Sequence, residues 1–301
     1  MPYPIIELPE DAPIQLEQLG TKTKFWYEGP EGQKILFKEG RPGTGENWAE
    51  KVCCEICKLL GLPHANYELA VWKTRTGVVT PSFVPEGGSL ILGNELLARV
   101  VDNYDQSARF SARQHTVRIV MAVVSAPGIG FPRGWKSPEA IRDAAGVFVG
   151  YLLLDALVSN QDRHHENWGL VLGADQRLFF APTFDHASSL GRNETDETRI
   201  ERLMTKDKGR SVEAYVQRAR SAFYASRTSA KPLKTLEAFQ EAAKIRPEGA
   251  DYWRERLTAI DPARYRDILD EIPESEISAP ARDFACRMLE INAKRLFDLE
   301  I

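Results

Sequence analysis

In the first third of the chain, hydrophobic and polar positions alternate in short runs that are bounded by glycine and proline. Alternation of this kind predicts strands whose side chains point by turns to the two faces of a sheet. The predicted strands cover residues 24–27, 33–39, 67–72 and 78–84. The sequence therefore predicts a small β-rich part near the N-terminus.

One predicted helix interrupts these strands at residues 46–60. Its apolar residues recur every three or four positions, so that Trp48, Val52 and Ile56 share one face. Gly61 and Pro63 follow, and both residue types are typical of helix ends.

Beyond a break at Gly87 and Gly88, the pattern changes to longer apolar stretches with helical spacing. The strongest of them, residues 147–158, predicts a buried helix. Short strands are predicted at 168–172 and 178–180, and proline-separated helices from about residue 212 to the end. The highly charged residues 192–210 are predicted to form a mobile loop.

This order of elements predicts an α+β fold with two unequal lobes. A small β-rich N-lobe would span residues 1–88, and a larger, mostly helical C-lobe would span residues 89–301. The chain length of 301 residues is sufficient for this arrangement. A cleft between two lobes is a natural place for a ligand.

The composition is that of an ordinary globular protein, with 43% hydrophobic and 27% charged residues. A net charge of -4 does not favour direct binding to nucleic acid. We expect no membrane association, because no apolar run approaches the roughly 18 residues of a membrane span. The N-terminus lacks the basic and apolar regions of a signal peptide, and we expect a cytoplasmic protein with its four cysteines reduced.

The sharpest chemical signal is the polar run SNQDRHHEN at residues 159–167, directly after the buried helix. Phosphoryl transfer needs a carboxylate that orients the attacking hydroxyl and an oxygen ligand for magnesium. The kinase pattern H-R-D-x-x-x-x-N supplies both groups five residues apart, and Asp162 and Asn167 keep this interval.

A second carboxylate, Asp185, stands 18 residues after Asn167, beyond the predicted strand at 178–180. Kinases place their principal metal-binding carboxylate in this order along the chain. Magnesium prefers hard oxygen ligands, so a carboxylate, an amide and phosphate oxygens suit it.

Lys38 is a candidate for holding the α- and β-phosphates, since it shares one side of a predicted strand with Leu36. Kinases fix this lysine with a glutamate from the next helix. The predicted helix offers Glu50 and Glu55 on opposite edges of its apolar stripe, and periodicity does not choose between them.

A phosphate-covering loop is predicted at residues 19–24, with one glycine, several donors and two lysines. The candidate nucleotide-binding residues of this loop are Gly20, Thr21, Lys22 and Thr23. The loop lacks the G-x-G-x-x-G pattern, and the chain contains no G-x-x-x-x-G-K-[ST] motif.

With these residues assembled, the sequence resembles the HipA-like kinases, the toxin kinases of bacterial toxin–antitoxin systems. The segments that carry the resemblance occur in the family's order along most of the chain. They are ILFK at 35–38, NWAEK at 47–51, LLGLPHA at 59–65, GNELL at 93–97, DALVSNQDRH at 155–164, FDHASSL at 184–190 and NAKRL at 292–296. Compared with longer HipA-type toxins, we expect the chain to lack an N-terminal subdomain.

The resemblance implies a two-lobed protein-kinase-like fold and an ATP- and Mg²⁺-dependent serine/threonine protein kinase. It makes Asp162 the catalytic base, Asn167 and Asp185 the metal ligands, and Lys38 the phosphate-binding lysine with Glu50 as its partner. His164 would orient the catalytic loop or the γ-phosphate. Phe83 and Val84 would belong to the hinge that faces adenine. The implied partners are a protein substrate with a serine or threonine acceptor, which is a component of the translation machinery, and an antitoxin protein.

Two other functions stay open at this point. The Asp-Arg-His-x-x-Asn pattern is also similar to the catalytic loop of phosphatidylinositol kinases, so a lipid or small-molecule kinase is the nearest alternative. A pseudokinase that binds nucleotide without turnover is the other. Asp155, within the apolar helix, is interpreted as a buried carboxylate with partners, and His165 as facing solvent.

Overall fold

The computed structural model describes residues 1–13, 15–16 and 23–301. The strands of the described chain are β1 (Ile5–Leu8), β2 (Gln15–Leu16), β3 (Lys24–Glu28), β4 (Lys34–Glu39), β5 (Glu68–Trp72), β6 (Arg75–Pro81), β7 (Ser89–Leu92), β8 (Ile129–Gly130), β9 (Gly169–Leu172) and β10 (Leu178–Phe180). The helices are α1 (Glu46–Leu60), α2 (Gly93–Val100), α3 (Val117–Val124), α4 (Ala144–Val158), α5 (Asp196–Met204), α6 (Val212–Arg218), α7 (Thr235–Ile245), α8 (Pro247–Thr258), α9 (Ala263–Asp270) and α10 (Ala279–Phe297).

The N-terminal part is a six-stranded sheet with the strand order β1-β5-β6-β4-β3-β2. Strand β1 runs parallel to β5, and the other neighbours are antiparallel. Phe25, Phe37 and Trp72 pack together on one face of this sheet. Because side chains alternate along a strand, Lys38 on β4 points to the opposite face, towards α1 and the C-terminal part.

Helix α1 has the bounds that the sequence predicts, and Gly61 ends it in a left-handed conformation at φ 75°. The helix contacts β5 and β6 on one side and α8 and α9 on the other. The helix therefore buries charged residues as well as its apolar stripe, and Glu50 and Lys51 are both buried. A buried charge requires a partner.

The C-terminal part contains a second sheet with the order β7-β9-β10-β8 and most of the helices. All strands of the first sheet precede residue 88, and β7, the first of the second sheet in the chain, begins at Ser89. This is the predicted α+β architecture with β-rich and helical parts. The domain boundary between residues 88 and 89 stays a prediction.

Helix α4 forms the centre of the main hydrophobic core. All of its residues are buried, and it packs against α3, α7, α8 and α10. Gly150 lets neighbours approach closely, since a Cβ atom there would meet Leu62 and Trp253 at 2.6 Å. The helix begins at Ala144, three residues before the predicted apolar stretch. Asp143 is its N-cap and accepts a hydrogen bond of 2.8 Å from the Gly146 N–H.

The prediction of a mobile loop at residues 192–210 is wrong, because helix α5 lies within this segment. Thr195 caps the helix, and the acidic residues Asp196 and Glu197 occupy its first turn. Ion pairs of Arg199 with Asp196 and of Arg202 with Glu194 account for much of the charge. None of the described helices has the length and apolar character needed to cross a membrane.

Candidate active site

The side chain of Lys38 contacts two carboxylates that come from different parts of the chain. Its Nζ atom forms an ion pair with Asp185 and lies 3.4 Å from Glu50 Oε2. Burial opposes the charge of the amine, but the two carboxylates outweigh it, and the pKa of Lys38 is raised above its usual value. Lys38 is therefore a buried cation between helix α1 and the loop after β10.

Glu50 is the glutamate that the fold directs at Lys38. It is fully buried, and its Oε1 atom accepts a hydrogen bond of 2.6 Å from the backbone N–H of His186. Burial raises its pKa, but the charge of Lys38 and the His186 side chain, whose Nδ1 lies 3.3 Å from Oε1, prevail, so that the pKa is lowered. Glu55 instead binds Lys51 and Lys58 at 2.7 Å, away from Lys38.

Asp185 lies in a loop with an unusual backbone. Its φ angle of 58° is in the left-handed region, which aspartate tolerates better than most residues do. Its backbone N–H donates to the Tyr67 hydroxyl at 3.3 Å, and the next residue binds Glu50. These contacts fix the loop against the first sheet and α1, and they turn the Asp185 carboxylate towards Lys38.

The polar loop that carries Asp162 and Asn167 begins where α4 ends. Ser159 closes the helix in a left-handed conformation at φ 53°, and the Asn160 N–H returns to the Asp155 carbonyl at 2.9 Å. Arg163 is buried and binds Asp155 through two hydrogen bonds of 2.8 Å. Asp155 is thus a buried carboxylate with partners, as the sequence indicates.

Arg163 also joins the two loops of the site. Its Nη1 atom donates to the Asn167 carbonyl at 2.9 Å and to the Phe184 carbonyl at 3.4 Å. Phe184 precedes Asp185, so one guanidinium holds the backbone beside both candidate metal ligands. A second link runs from the Gln161 N–H to the Ser188 carbonyl at 3.3 Å.

Asn167 and Asp162 contact each other through the amide group of the asparagine. Asn167 Nδ2 donates to the Asp162 carbonyl at 2.7 Å. Among the described residues no hydrogen bond is made to the Asn167 amide oxygen, which is the atom of this side chain that could bind a cation. The Asn167 amide group is thereby fixed to the backbone of Asp162 through its nitrogen, and its oxygen keeps its capacity to bind a cation.

The carboxylate of Asp162 has two oxygens in different surroundings. Oδ2 accepts a hydrogen bond of 3.3 Å from the Ser188 hydroxyl. Oδ1 is buried and has no hydrogen-bond partner within the described chain, although His164 Nε2 lies 3.5 Å from it. Burial, followed by the charge of Asp185, raises the pKa of Asp162 to about 6. An unpaired carboxylate oxygen with a raised pKa is typical of a proton-accepting site.

The two histidines of the loop are both buried. His164 Nδ1 accepts a hydrogen bond of 3.1 Å from the Glu166 N–H, and burial lowers the pKa of His164 to about 4. The ring is therefore neutral at pH 7 and orders the loop beside Asp162. The expectation that His165 faces solvent is wrong, because its side chain is buried and binds the Tyr104 hydroxyl at 2.6 Å.

Of the remaining predicted nucleotide-binding residues, the structure describes Phe83, Val84 and Thr23. Phe83 and Val84 connect the two sheets, between β6 and β7, and the Phe83 ring is 5.6 Å from the ring of Phe184. Thr23 precedes β3, and its hydroxyl accepts a hydrogen bond of 2.9 Å from Arg75. The candidates Gly20, Thr21 and Lys22 lie outside the described residues.

A pocket of about 200 Å³ opens beside Asp162 and contains residues that the sequence reasoning missed. Its lining includes Ser188, Arg192 and the aromatic residues Phe110 and Tyr215. Arg192 does not belong to a periodic pattern of apolar and polar residues, so periodicity does not single it out. The position of Arg192, directly after the segment FDHASSL and Gly191, is the one sequence feature that could have drawn attention to it.

The donor set fits a magnesium ion better than a softer metal. Asn167 and Asp185 offer an amide oxygen and a carboxylate, and magnesium is usually held by few protein ligands together with phosphate and water oxygens. Within residues 1–13 and 23–301, no cluster of three or more histidine, cysteine or acidic side chains is placed to hold a metal ion. The fit therefore depends on a phosphate ligand that shares the ion.

Comparisons with known proteins identify the fold. No protein-family model matches the sequence, and no curated protein matches it significantly. Among solved structures, the Helicobacter pylori proinflammatory kinase CtkA aligns over 99% of this chain and 100% of its own, with a TM-score of 0.72 and 18% identity. HipA of Shewanella oneidensis MR-1, solved with HipB and operator DNA, aligns over 98% of this chain and 70% of its own, with a TM-score of 0.55 and 13% identity.

These similarities confirm the fold that the sequence predicts, and at such low identity they establish the fold alone. The residues that the sequence singled out at 38, 50, 162, 167 and 185 lie together between the first sheet and the helical part. The chain has the protein-kinase-like fold that is shared by CtkA and HipA.

Proposed function

We propose that this protein is an ATP- and Mg²⁺-dependent phosphotransferase that moves the γ-phosphoryl group onto a serine or threonine hydroxyl of a protein. The observation that carries the proposal is the meeting of Lys38 with Asp185 and Glu50 next to the loop of Asp162 and Asn167. One cation, one amide oxygen and three carboxylates from four separate segments are the groups that phosphoryl transfer needs.

In the proposed reaction, Lys38 binds phosphate oxygens of ATP and Glu50 holds the amine in place. Asn167 and Asp185 would hold magnesium, which supplies charge neutralisation on the phosphates when it is bound. Phe83 and Val84 would contact the adenine, and Gly20, Thr21, Lys22 and Thr23 would cover the phosphates. Positioning and electrostatics then provide most of the catalysis.

Asp162 has the proposed role of catalytic base. The acceptor hydroxyl donates its hydrogen to Oδ1, the oxygen that makes no hydrogen bond within the described chain. As the hydroxyl oxygen bonds to the γ-phosphorus, the bond from this phosphorus to the bridging oxygen breaks, ADP leaves, and the proton passes to Asp162. His164 keeps the loop in the required conformation through its bond with the Glu166 N–H.

The pocket beside Asp162 favours a protein hydroxyl over a phosphoinositide as acceptor. Of the described residues that line it, Arg192 is the one with a positive charge, and Glu46 already pairs with that guanidinium. The phosphodiester of a phosphatidylinositol head group needs a cation or free donors near the acceptor hydroxyl. The rings of Phe110 and Tyr215 instead suit a peptide with an apolar side chain near its hydroxyl.

The second part of the proposal is the biological role of the kinase. The fold shared with a HipA chain that was solved with HipB and operator DNA supports a toxin kinase of the HipA type, restrained by an antitoxin protein. Such a kinase would act in the cytoplasm on a translation component. Expression of wild type and of Asp185→Ala in a bacterial host, followed by growth curves and phosphoproteomics, tests this role. Growth arrest and new phosphosites with wild type alone are expected, and equal behaviour of both proteins contradicts it.

Radiolabelled ATP tests the activity itself. Wild type should transfer label to a serine/threonine peptide library only with Mg²⁺, and Asp162→Asn should lower the rate on the order of 10²- to 10⁴-fold while ATP still binds. Phosphatidylinositol vesicles form a second arm. Label on the lipid alone favours the lipid kinase, and ATP binding without transfer to any acceptor favours the pseudokinase.

A further inference from the structure

Arg192 stands between the proposed base and the first helix of the N-terminal part. Its Nη2 atom donates a hydrogen bond of 3.0 Å to the Ser188 hydroxyl, and its Nη1 atom pairs with Glu46. Its side chain is 12% exposed, and that of Glu46 is 3% exposed. With both partners and little exposure, the Arg192 guanidinium connects Ser188 to Glu46 and is not an ordinary surface charge.

The hydrogen bonds have a defined direction. The Ser188 oxygen accepts from Arg192, so its own hydrogen is available to Asp162 Oδ2, which lies 3.3 Å away. Oδ2 is thereby occupied, and Oδ1 remains for the acceptor hydroxyl. Without the donor on Ser188, the carboxylate could turn about its Cβ–Cγ bond and present either oxygen.

At its other end, the connection reaches the start of α1. The Gly45 N–H donates to the Arg192 carbonyl at 2.9 Å, and Glu46 also accepts from the Arg41 N–H at 3.0 Å. Glu50, the partner of Lys38, lies one turn further along the same helix. A displacement of α1 would therefore disturb Lys38 and Asp162 together.

We propose that Arg192 is a positioning residue that orients Asp162 through Ser188 and makes this orientation depend on the place of Glu46 at the start of α1. The inference rests on the proposed function, since it assigns Arg192 a part in the same transfer. Lysine should replace it poorly, because Arg192 reaches Ser188 and Glu46 with two different nitrogen atoms of a planar guanidinium and lysine has a single nitrogen.

Steady-state kinetics with the peptide library and with ATP test this role in the full chain. Arg192→Ala and Arg192→Lys should each lower kcat about 10- to 100-fold, since a misplaced catalytic group costs this much. The KM for ATP should stay close to that of wild type, because Lys38, Asn167 and Asp185 are retained. Millimolar guanidinium ion should restore part of the kcat of Arg192→Ala and leave Arg192→Lys unchanged.

Arg246→Ala is the matched control. Arg246 also binds one carboxylate and one serine hydroxyl, Asp143 at 2.8 Å and Ser125 at 2.9 Å, in a part of the chain remote from the site in sequence. Its loss should leave kcat unchanged. Thermal unfolding of all variants shows whether they fold. If Arg192→Ala does not fold, Ser188→Ala, which removes a single oxygen atom, tests the same hydrogen-bonded chain.

The double variant Ser188→Ala/Arg192→Ala should lose no more kcat than Arg192→Ala alone, because both residues act through one hydrogen-bonded chain. Independent, multiplicative losses would overturn the inference, as would an undiminished kcat in folded Arg192→Ala or Ser188→Ala. If wild type transfers no phosphate, the proposed function fails and this inference with it. If wild type is active and the Arg192 variants are equally active, the role of Arg192 is overturned and the proposed function still holds.

Discussion

Lys38 and Asp185 are 147 residues apart in the chain, and their side chains form an ion pair. Lys38 comes from a strand of the first sheet and Asp185 from the loop after β10. The pair is possible because β4 turns Lys38 away from the aromatic face of its sheet and because Tyr67 and Glu50 hold the loop of Asp185. The β-rich part and the helical part of the chain therefore meet at two residues that the sequence singles out.

Glu50→Gln should impair phosphoryl transfer much more than Glu55→Gln. The neutral amide removes one of two negative charges beside the buried Lys38 and weakens the bond to the His186 N–H. We expect a loss of about 10- to 100-fold in kcat/KM for ATP. Glu55 pairs with Lys51 and Lys58 instead, so its variant is the matched control on the same helix. Equal effects of the two substitutions would argue against the role of Glu50.

The pH dependence of the transfer should show the ionisation of Asp162. Its pKa is raised to about 6, so the carboxylate accepts a proton above that pH and is already protonated below it. We expect kcat/KM for the acceptor to fall as the pH is lowered through about 6. A cation bound to Asp185 would offset the negative charge of Asp185, which contributes to the raised pKa of Asp162. The pH at which the activity falls to half would then be lower.

Thermal unfolding at each pH separates this effect from acid denaturation. Wild type should remain folded where its activity has already fallen. A rate that does not change between about pH 5 and about pH 8 would contradict the assignment of Asp162 as the base.

Asp155→Ala should strongly destabilise the protein. The substitution leaves the guanidinium of Arg163, which is fully buried, without its two carboxylate bonds. Breaking a buried ion pair in this way costs about 3–5 kcal/mol in the free energy of unfolding. Urea unfolding measures the change.

Asp267→Ala provides the comparison for this prediction. Asp267 pairs with Arg264 at 3.2 Å, and both side chains are 55% exposed. Loss of such a surface pair costs about 0–1 kcal/mol. Similar values for the two variants would show that Asp155 and Arg163 do not form the buried pair described above.

Much of this site could be predicted from the sequence because its residues lie in recognisable local patterns. The period of the apolar residues and Gly61 defined helix α1, and the polar run after a mainly apolar helix marked the loop of Asp162 and Asn167. Periodicity alone could not choose between Glu50 and Glu55, since that choice depends on how α1 packs against the loop of Asp185.

Other features depend on contacts between distant segments, and local patterns do not report them. The charged run at 192–210 is helical because capping and ion pairs stabilise a polar helix. His165 is buried because the hydroxyl of Tyr104, 61 residues earlier, supplies its polar partner. Arg192 was missed for the same reason, since its partners Ser188 and Glu46 come from the two sides of the site.

Calorimetric titration of the protein with ATP, with and without Mg²⁺, tests most directly whether these side chains form a nucleotide site. Wild type should bind ATP with Mg²⁺, and Asp185→Ala should lose the Mg²⁺-dependent part of the affinity. Glu55→Gln should bind as wild type does. Absence of ATP binding by wild type, or the same Mg²⁺ dependence in Asp185→Ala, would contradict the account.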